Sequence, residues 1–201
     1  MASSNEQNPE PTPRDSDLMV RMATDTPDSV RAFDILLDRY ERGVYAFALR
    51  FAPTQACAED ITQETFLRLW RARYTYRPLG ATLRTYLFTI ARRLCCDRAK
   101  RQTVEIVPFW EETDDAGFRF PTLPGPEHAL LVRELATVLD TALNELPPVL
   151  GEAVYLRDTE AMPYEQIAAV LGCPIGTAKS RVAAARVRLR AVLARYLQEK
   201  P

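Results

Sequence analysis

Residues 102 to 128, QTVEIVPFWEETDDAGFRFPTLPGPEH, carry four prolines and six acids against a single arginine. Proline fixes φ and removes a backbone donor, so so proline-rich a stretch neither continues a helix nor enters a sheet. On both sides of it the pattern changes. From Leu18 to about Arg101, apolar residues recur at helical spacing, as in FDILLDRYERGVYAFALRF and AEDITQETFLRLWR, with almost no strand-like alternation. From Ala129 the periodicity resumes and runs to about Leu197, interrupted at Pro147-Pro148, Pro163 and Gly172-Cys173-Pro174. The expected fold class is all-α, with two small helical domains joined by a flexible acidic linker. The boundaries read as a polar, Pro-rich, disordered tail over 1–16, a first domain over 17–101, the linker over 102–128 and a second domain over 129–201.

At 201 residues and 47% hydrophobic, the chain is long enough to bury a core. The amino terminus, MASSNEQNPEPTPRDSD, lacks the basic and then apolar order of a signal peptide, and no later apolar run is long enough to cross a bilayer, so a cytoplasmic location without membrane insertion is expected. Cys57, Cys95, Cys96 and Cys173 include no CxxC pair, and bridging adjacent Cys95 and Cys96 would close a strained ring. They read as reduced thiols. His128 stands alone in a Pro-rich neighbourhood, so no metal site is expected. No paired nucleophile and base, no Walker-type phosphate loop and no HExxH motif occurs, so neither a catalytic centre nor a cofactor is expected.

The formal net charge is −1, yet GTAKSRVAAARVRLR, Gly176 to Arg190, holds Lys179, Arg181, Arg186, Arg188 and Arg190 without one acid. Its context is MPYEQIAAVLGCPIG, in which Pro163 suits a first helical turn, Ile167, Val170 and Leu171 form an apolar stripe, and Gly172 suits a left-handed helix end. A second helix is expected to start near Gly176 or Thr177. A short helix, a tight turn with glycine and a longer second helix form a helix-turn-helix, with Ala168 small enough for a close crossing. At about 100° per residue, Ala178, Val182, Ala185, Leu189 and Val192 share one face of that second helix. Lys179, Ser180, Ala183, Ala184 and Val187 share the other, flanked by Arg181, Arg186, Arg188 and Arg190. Small central side chains permit close approach to a groove, and the flanking cations reach phosphates or guanine edges. A merely solvated helix would carry interspersed glutamates, and none occurs from Gln166 to Tyr196.

Two motifs organise the first domain. In AEDITQETFLRLWR, Ile61, Phe66, Leu69 and Trp70 face a core, whereas Asp60, Glu64, Arg68 and Arg71 fall opposite, with Gln63 at the edge. By itself that polar face reads as solvated surface held by a Glu64–Arg68 pair. In RARYTYRPLGATLRTYLFTIARRLCCDRAKR, Tyr74, Tyr76, Tyr86 and Phe88 mix with Arg77, Arg84, Arg92, Arg93, Arg98, Lys100 and Arg101. Aromatic faces stack on unpaired bases while cations follow phosphates, which is how single strands are held without catalysis. Phe88 and Tyr86 are expected to be partly core, and the loop from Arg77 to Thr82 is the better candidate for touching a base.

YEQIAAVLGCPIGTAKSRVAAARVRLR resembles region 4 of the extracytoplasmic-function (ECF) sigma factors, and AEDITQETFLRLWR with LRTYLFTIARRLCCDRAKR resembles their region 2. The order matches too, including the LPP at Leu146 to Pro148. This sequence departs from the family pattern at Tyr86, Arg93 and Ala184, where a Trp, an Asn and an Arg are frequent. The resemblance implies a promoter-specificity subunit of bacterial RNA polymerase. Asp60, Gln63 and Glu64 would dock on the clamp helices of core. Tyr76, Arg77, Tyr86, Arg92, Arg93, Arg98, Lys100 and Arg101 would hold the opened minus 10 element. Thr177, Lys179, Ser180, Arg181, Ala184, Arg186 and Arg188 would read the minus 35 element as duplex. It also implies an anti-sigma partner and a linker that threads the polymerase interior. The alternative is a helix-turn-helix regulator that shifts duplex DNA alone and needs no polymerase.

Overall fold

The computed structural model describes residues 12–77, 81–101 and 126–199, which form eight α-helices and one π-helical turn with no strand among them. Most of the expected tail and almost all of the expected linker lie outside the described residues.

The first unit contains α1 (Asp15–Met22), α2 (Pro27–Phe51), α3 (Gln55–Ala72) and α4 (Leu83–Arg101). Helix starts follow local chemistry. Pro27 opens α2 where its missing N–H costs nothing. The Thr54 hydroxyl accepts from the Cys57 N–H at 3.2 Å, and the Thr82 hydroxyl accepts from the Thr85 N–H at 3.2 Å, so α3 and α4 are each capped by a threonine. Leu36, Val44 and Phe47 of α2, Ile61 and Leu69 of α3, and Leu87 and Phe88 of α4 are buried together. Each such side chain contributes roughly 1.5–3 kcal/mol by leaving water. Arg39 and Tyr40 both donate to Asp15, which ties α1 to α2.

Cys95 lies in this core, and burial pushes its thiol up to about 12, with Cys96 beside it adding to the shift. Its thiolate is scarce at neutral pH. Iodoacetamide on the folded chain should therefore label half-exposed Cys57 well before Cys95, as peptide mass mapping would report. Equal rates would show that α4 is not packed as described.

The second unit contains α5 (Pro126–Asn144), α6 (Pro148–Val154), the π turn Tyr155–Thr159, α7 (Tyr164–Leu171) and α8 (Ile175–Glu199). Pro163 does not enter the first turn of α7 as its sequence context suggests. It precedes the helix with extended backbone, φ −67° and ψ 152°, because the ring fixes only φ and its carbonyl is left to accept from Gln166 and Ile167 at 3.0 and 3.1 Å. Gly172 ends α7 at φ 62°, as expected, and the Cys173 N–H closes the turn on the Ala168 carbonyl at 3.0 Å. α8 begins at Ile175, slightly earlier than expected, because Pro174 presents its carbonyl to the Ala178 N–H at 3.0 Å.

The two units pack on each other. The main apolar cluster continues from the first unit through Ala153, Leu156 and Met162 to α7 and to Ala178 and Val182 of α8. Tyr155 of the π turn stands edge-on to Phe47 and Phe51, with centroids 5.6 and 5.9 Å away. A smaller cluster of Ala142, Leu143, Leu146, Val154, Ala185 and Leu189 joins α5, α6 and α8.

Candidate nucleic-acid interfaces

α8 presents the two faces that its spacing predicts. Ala178, Val182, Ala185 and Leu189 are buried and Val192 packs against them, while Lys179, Ser180, Ala183, Ala184 and Val187 are exposed. The outer face is thus shallow at its centre. Arg188 and Arg190 are exposed beside it, and Thr177, Arg181 and Arg186 are half-exposed. Neighbours hold several of these groups in place. Arg186 is paired with Asp158 of the π turn, its Nε donating at 3.1 Å, and the Lys179 ammonium lies 5.6 Å from the Tyr164 ring centroid. Arg157 lies over the same ring at 4.8 Å, so Tyr164 is flanked by two cations. The Ser180 hydroxyl donates to the Thr177 carbonyl at 3.0 Å, and the hydroxyl oxygen keeps its capacity to accept.

On α3, Asp60 and Gln63 are exposed and Glu64 is half-exposed. They line an open groove with Leu67, Arg68, Leu94, Asp97, Arg98 and Arg101. Glu64 accepts from Arg68 at 2.7 Å, and this hydrogen bond holds the Glu64 carboxyl below its ordinary range. Asp60 faces Arg98 of α4 at 3.5 Å. The middle of this polar face is apolar: Leu67 is 48% exposed. Sequence reasoning passed over Leu67, although an apolar residue three positions after Glu64 in a polar stripe was a readable signal.

The basic residues grouped on α4 from the sequence point in different directions. Arg92 donates from Nε to Glu152 of α6 at 2.7 Å, and Arg84 is paired with Glu160 after the π turn. Arg98 and Arg101 line the α3 groove. Arg93 and Lys100, seven positions apart on one helix face, are exposed. Tyr76 and Tyr86 are half-buried and stack edge to face at 5.1 Å, so both are part of the domain margin, as expected for Tyr86. Phe88 is fully core. Arg77 is exposed, and Pro78 to Gly80 of the candidate base-contacting loop lie outside the described residues.

Two family models match the chain, Sigma-70 region 2 over residues 36–104 and Sigma-70, region 4 over residues 136–189. It is 34% identical over 194 residues to the ECF RNA polymerase sigma factor SigE of Mycolicibacterium smegmatis, an alignment spanning 94% of this chain and 72% of that protein. The protein belongs to the ECF sigma factors of the sigma-70 family. The RNA polymerase sigma-H factor of Pseudomonas aeruginosa is 31% identical over 84% of this chain and 90% of its own length. Among solved structures, the sigma factor RpoE of Bartonella quintana, in a co-crystal with the anti-sigma factor NepR, superposes with a TM-score of 0.62 at 29% identity, covering 81% of this chain and 96% of that one.

In this ECF sigma factor, region 2 runs from within α2 through α4, and region 4 from the second half of α5 through much of α8. The helix-turn-helix is α7 and α8, inside region 4. What sequence reading missed is the contact between the regions. Glu152 and Glu160 pair with arginines 60 and 76 positions away, and nothing local to either glutamate announces such a partner.

Proposed function

We propose that this ECF sigma factor binds RNA polymerase core through the α3 face carrying Asp60, Gln63 and Glu64, captures the opened minus 10 strand along α4 and the turn before it, and reads the minus 35 element as duplex with α8. The α8 outer face carries the reading: a shallow centre of Ala183 and Ala184, cations on its flanks and no acid anywhere on the helix from Ile175 to Gln198. Such a face lies in a major groove, where small side chains admit the base edges and arginines grip guanine or phosphate. In region 2 the work is divided between acceptors on α3, which suit basic groups on a clamp, and Tyr76, Arg77, Tyr86, Arg92, Arg93, Arg98, Lys100 and Arg101, which suit an unpaired strand and its phosphates. Polymerase supplies the nucleotide chemistry, so the sigma factor contributes position and specificity and needs neither cofactor nor catalytic group. The setting is the cytoplasm, where polymerase and promoter meet; no described helix is long and apolar enough to cross a membrane. An anti-sigma factor is the expected regulator, as in the RpoE–NepR co-crystal.

Run-off transcription by purified core on a promoter library tests the whole reading. Added sigma factor should produce defined starts, and it should bind core in the absence of DNA. A regulator acting alone would shift duplex DNA without core. At the matched promoter, Arg181→Ala should weaken binding by about 1–3 kcal/mol if that guanidinium grips a base edge. An equal loss on every sequence assigns Arg181 to phosphate.

A further inference from the structure

We propose that Val187 of α8 reads the methyl group of a thymine in the minus 35 duplex, so that carbon and not a guanidinium sets the base preference at the middle of the recognition face. The proposal rests on the reading of α8 as the duplex-reading helix and adds the base that it selects. Val187 is 64% exposed, more than any other large apolar side chain described in the second unit. At about 100° per residue, Ser180, Ala183, Ala184 and Val187 fall on one strip of the helix, and all four are exposed. From Ser180 to Val187 that strip covers about 10 Å of helix axis, which fits within a major groove about 12 Å wide.

Two rows of cations border the strip. By the same spacing, Lys179, Arg186 and Arg190 follow one flank and Arg181 and Arg188 the other, with no acid on the helix from Ile175 to Gln198. Phosphates line both edges of a major groove, so a neutral strip between two cationic rows is complementary in charge to duplex DNA. On the first flank the cations are held away from the strip. Arg186 is paired with Asp158 of the π turn, its Nε donating at 3.1 Å, and the Lys179 ammonium lies 5.6 Å from the Tyr164 ring centroid of α7. The base edges facing the strip therefore meet carbon. Thymine alone carries a methyl group on its major-groove edge, so apolar contact there distinguishes it from the other three bases. Valine suits the task because β-branching nearly confines it to one rotamer on a helix, and little side-chain freedom is left to lose on binding. The same stiffness makes valine a poor residue for a merely solvated helix position, where alanine, lysine or glutamate is favoured.

The test uses holoenzyme formed from the full chain and purified polymerase core. Promoter duplexes randomised across the minus 35 region and retained by it should be enriched in thymine at one fixed position of one strand. Replacing that thymine by deoxyuridine removes only the methyl group and should weaken binding about fourfold, the contribution of one buried methyl group. V187A lies at an exposed position where alanine favours the helix, so the chain stays folded, and it should bind the thymine and deoxyuridine duplexes equally. Absence of thymine enrichment, or a discrimination that V187A retains, overturns the proposal. So does a V187A chain that binds core more weakly and still discriminates, because Val187 would then belong to a protein contact. K179A/R181A separates this failure from failure of the underlying reading. If that variant retains the selected duplexes with unchanged affinity, α8 does not lie in the groove and the reading itself falls. If it binds them more weakly while deoxyuridine is tolerated by the wild type, only the role of Val187 falls.

Discussion

Phe88→Ala should destabilise the folded chain by about 3–5 kcal/mol, read as a lower urea midpoint. The ring is 1% exposed, stands edge-on to Phe47 at 5.5 Å and lies 6.0 Å from the Arg84 guanidinium. Its removal opens a cavity where α2, α4 and the π turn meet. None of these elements can collapse into the space alone, because each is also held by the others. A small domain is stable by only about 5–15 kcal/mol in total, so the loss is a large share. Had Phe88 been a base-stacking residue, the same substitution would leave the urea midpoint in place and lower only single-strand affinity. That outcome would contradict the core position.

Asp60→Arg combined with Glu64→Arg should weaken binding to polymerase core on the order of a hundredfold, while leaving the circular dichroism spectrum and urea midpoint nearly unchanged. On the proposed docking, reversal places like charge against basic groups of core, and that penalty falls on the complex alone. In the free sigma factor the two substitutions break the pairs with Arg98 and Arg68. Both pairs are solvent-exposed, and such pairs contribute only ~0–1 kcal/mol each. A folded double variant that binds core with unchanged affinity would return this face to plain solvated surface. The pH dependence has a definite sign. The Arg68 hydrogen bond lowers the Glu64 pKa, so its stabilisation is present above the ordinary carboxylate range and is lost only as pH falls through the lowered value. Core binding through Glu64 should therefore persist into mildly acidic solution.

Much of this protein is legible from local pattern. Apolar spacing identifies the all-α class and correctly divides α8 into a buried face headed by Ala178 and Val182 and an exposed one headed by Lys179 and Ser180. It also places Ile61, Phe66 and Leu69 inward on α3. These inferences succeed because a helix converts sequence separation directly into direction, so a residue's face depends on its neighbours within two turns. Gly172 ends α7 as read for a similar reason: the left-handed conformation is a property of that one residue.

What the sequence by itself determined is therefore the all-α class, the inner faces of α3 and α8, the helix-turn-helix and the family. Only tertiary structure decided where the cations of α4 are directed. Arg92 and Arg93 are adjacent in the chain and of the same residue type, yet one pairs with Glu152 and the other is exposed. The π turn and the left-handed Ala161 belong to the same class, since neither residue type favours that conformation and only the packing of Tyr155 and the pairing of Glu160 account for it. Pairing across 60 or 76 positions depends on how two helical units meet, and that meeting is governed by shape and charge summed over whole surfaces. No short window of sequence contains that sum.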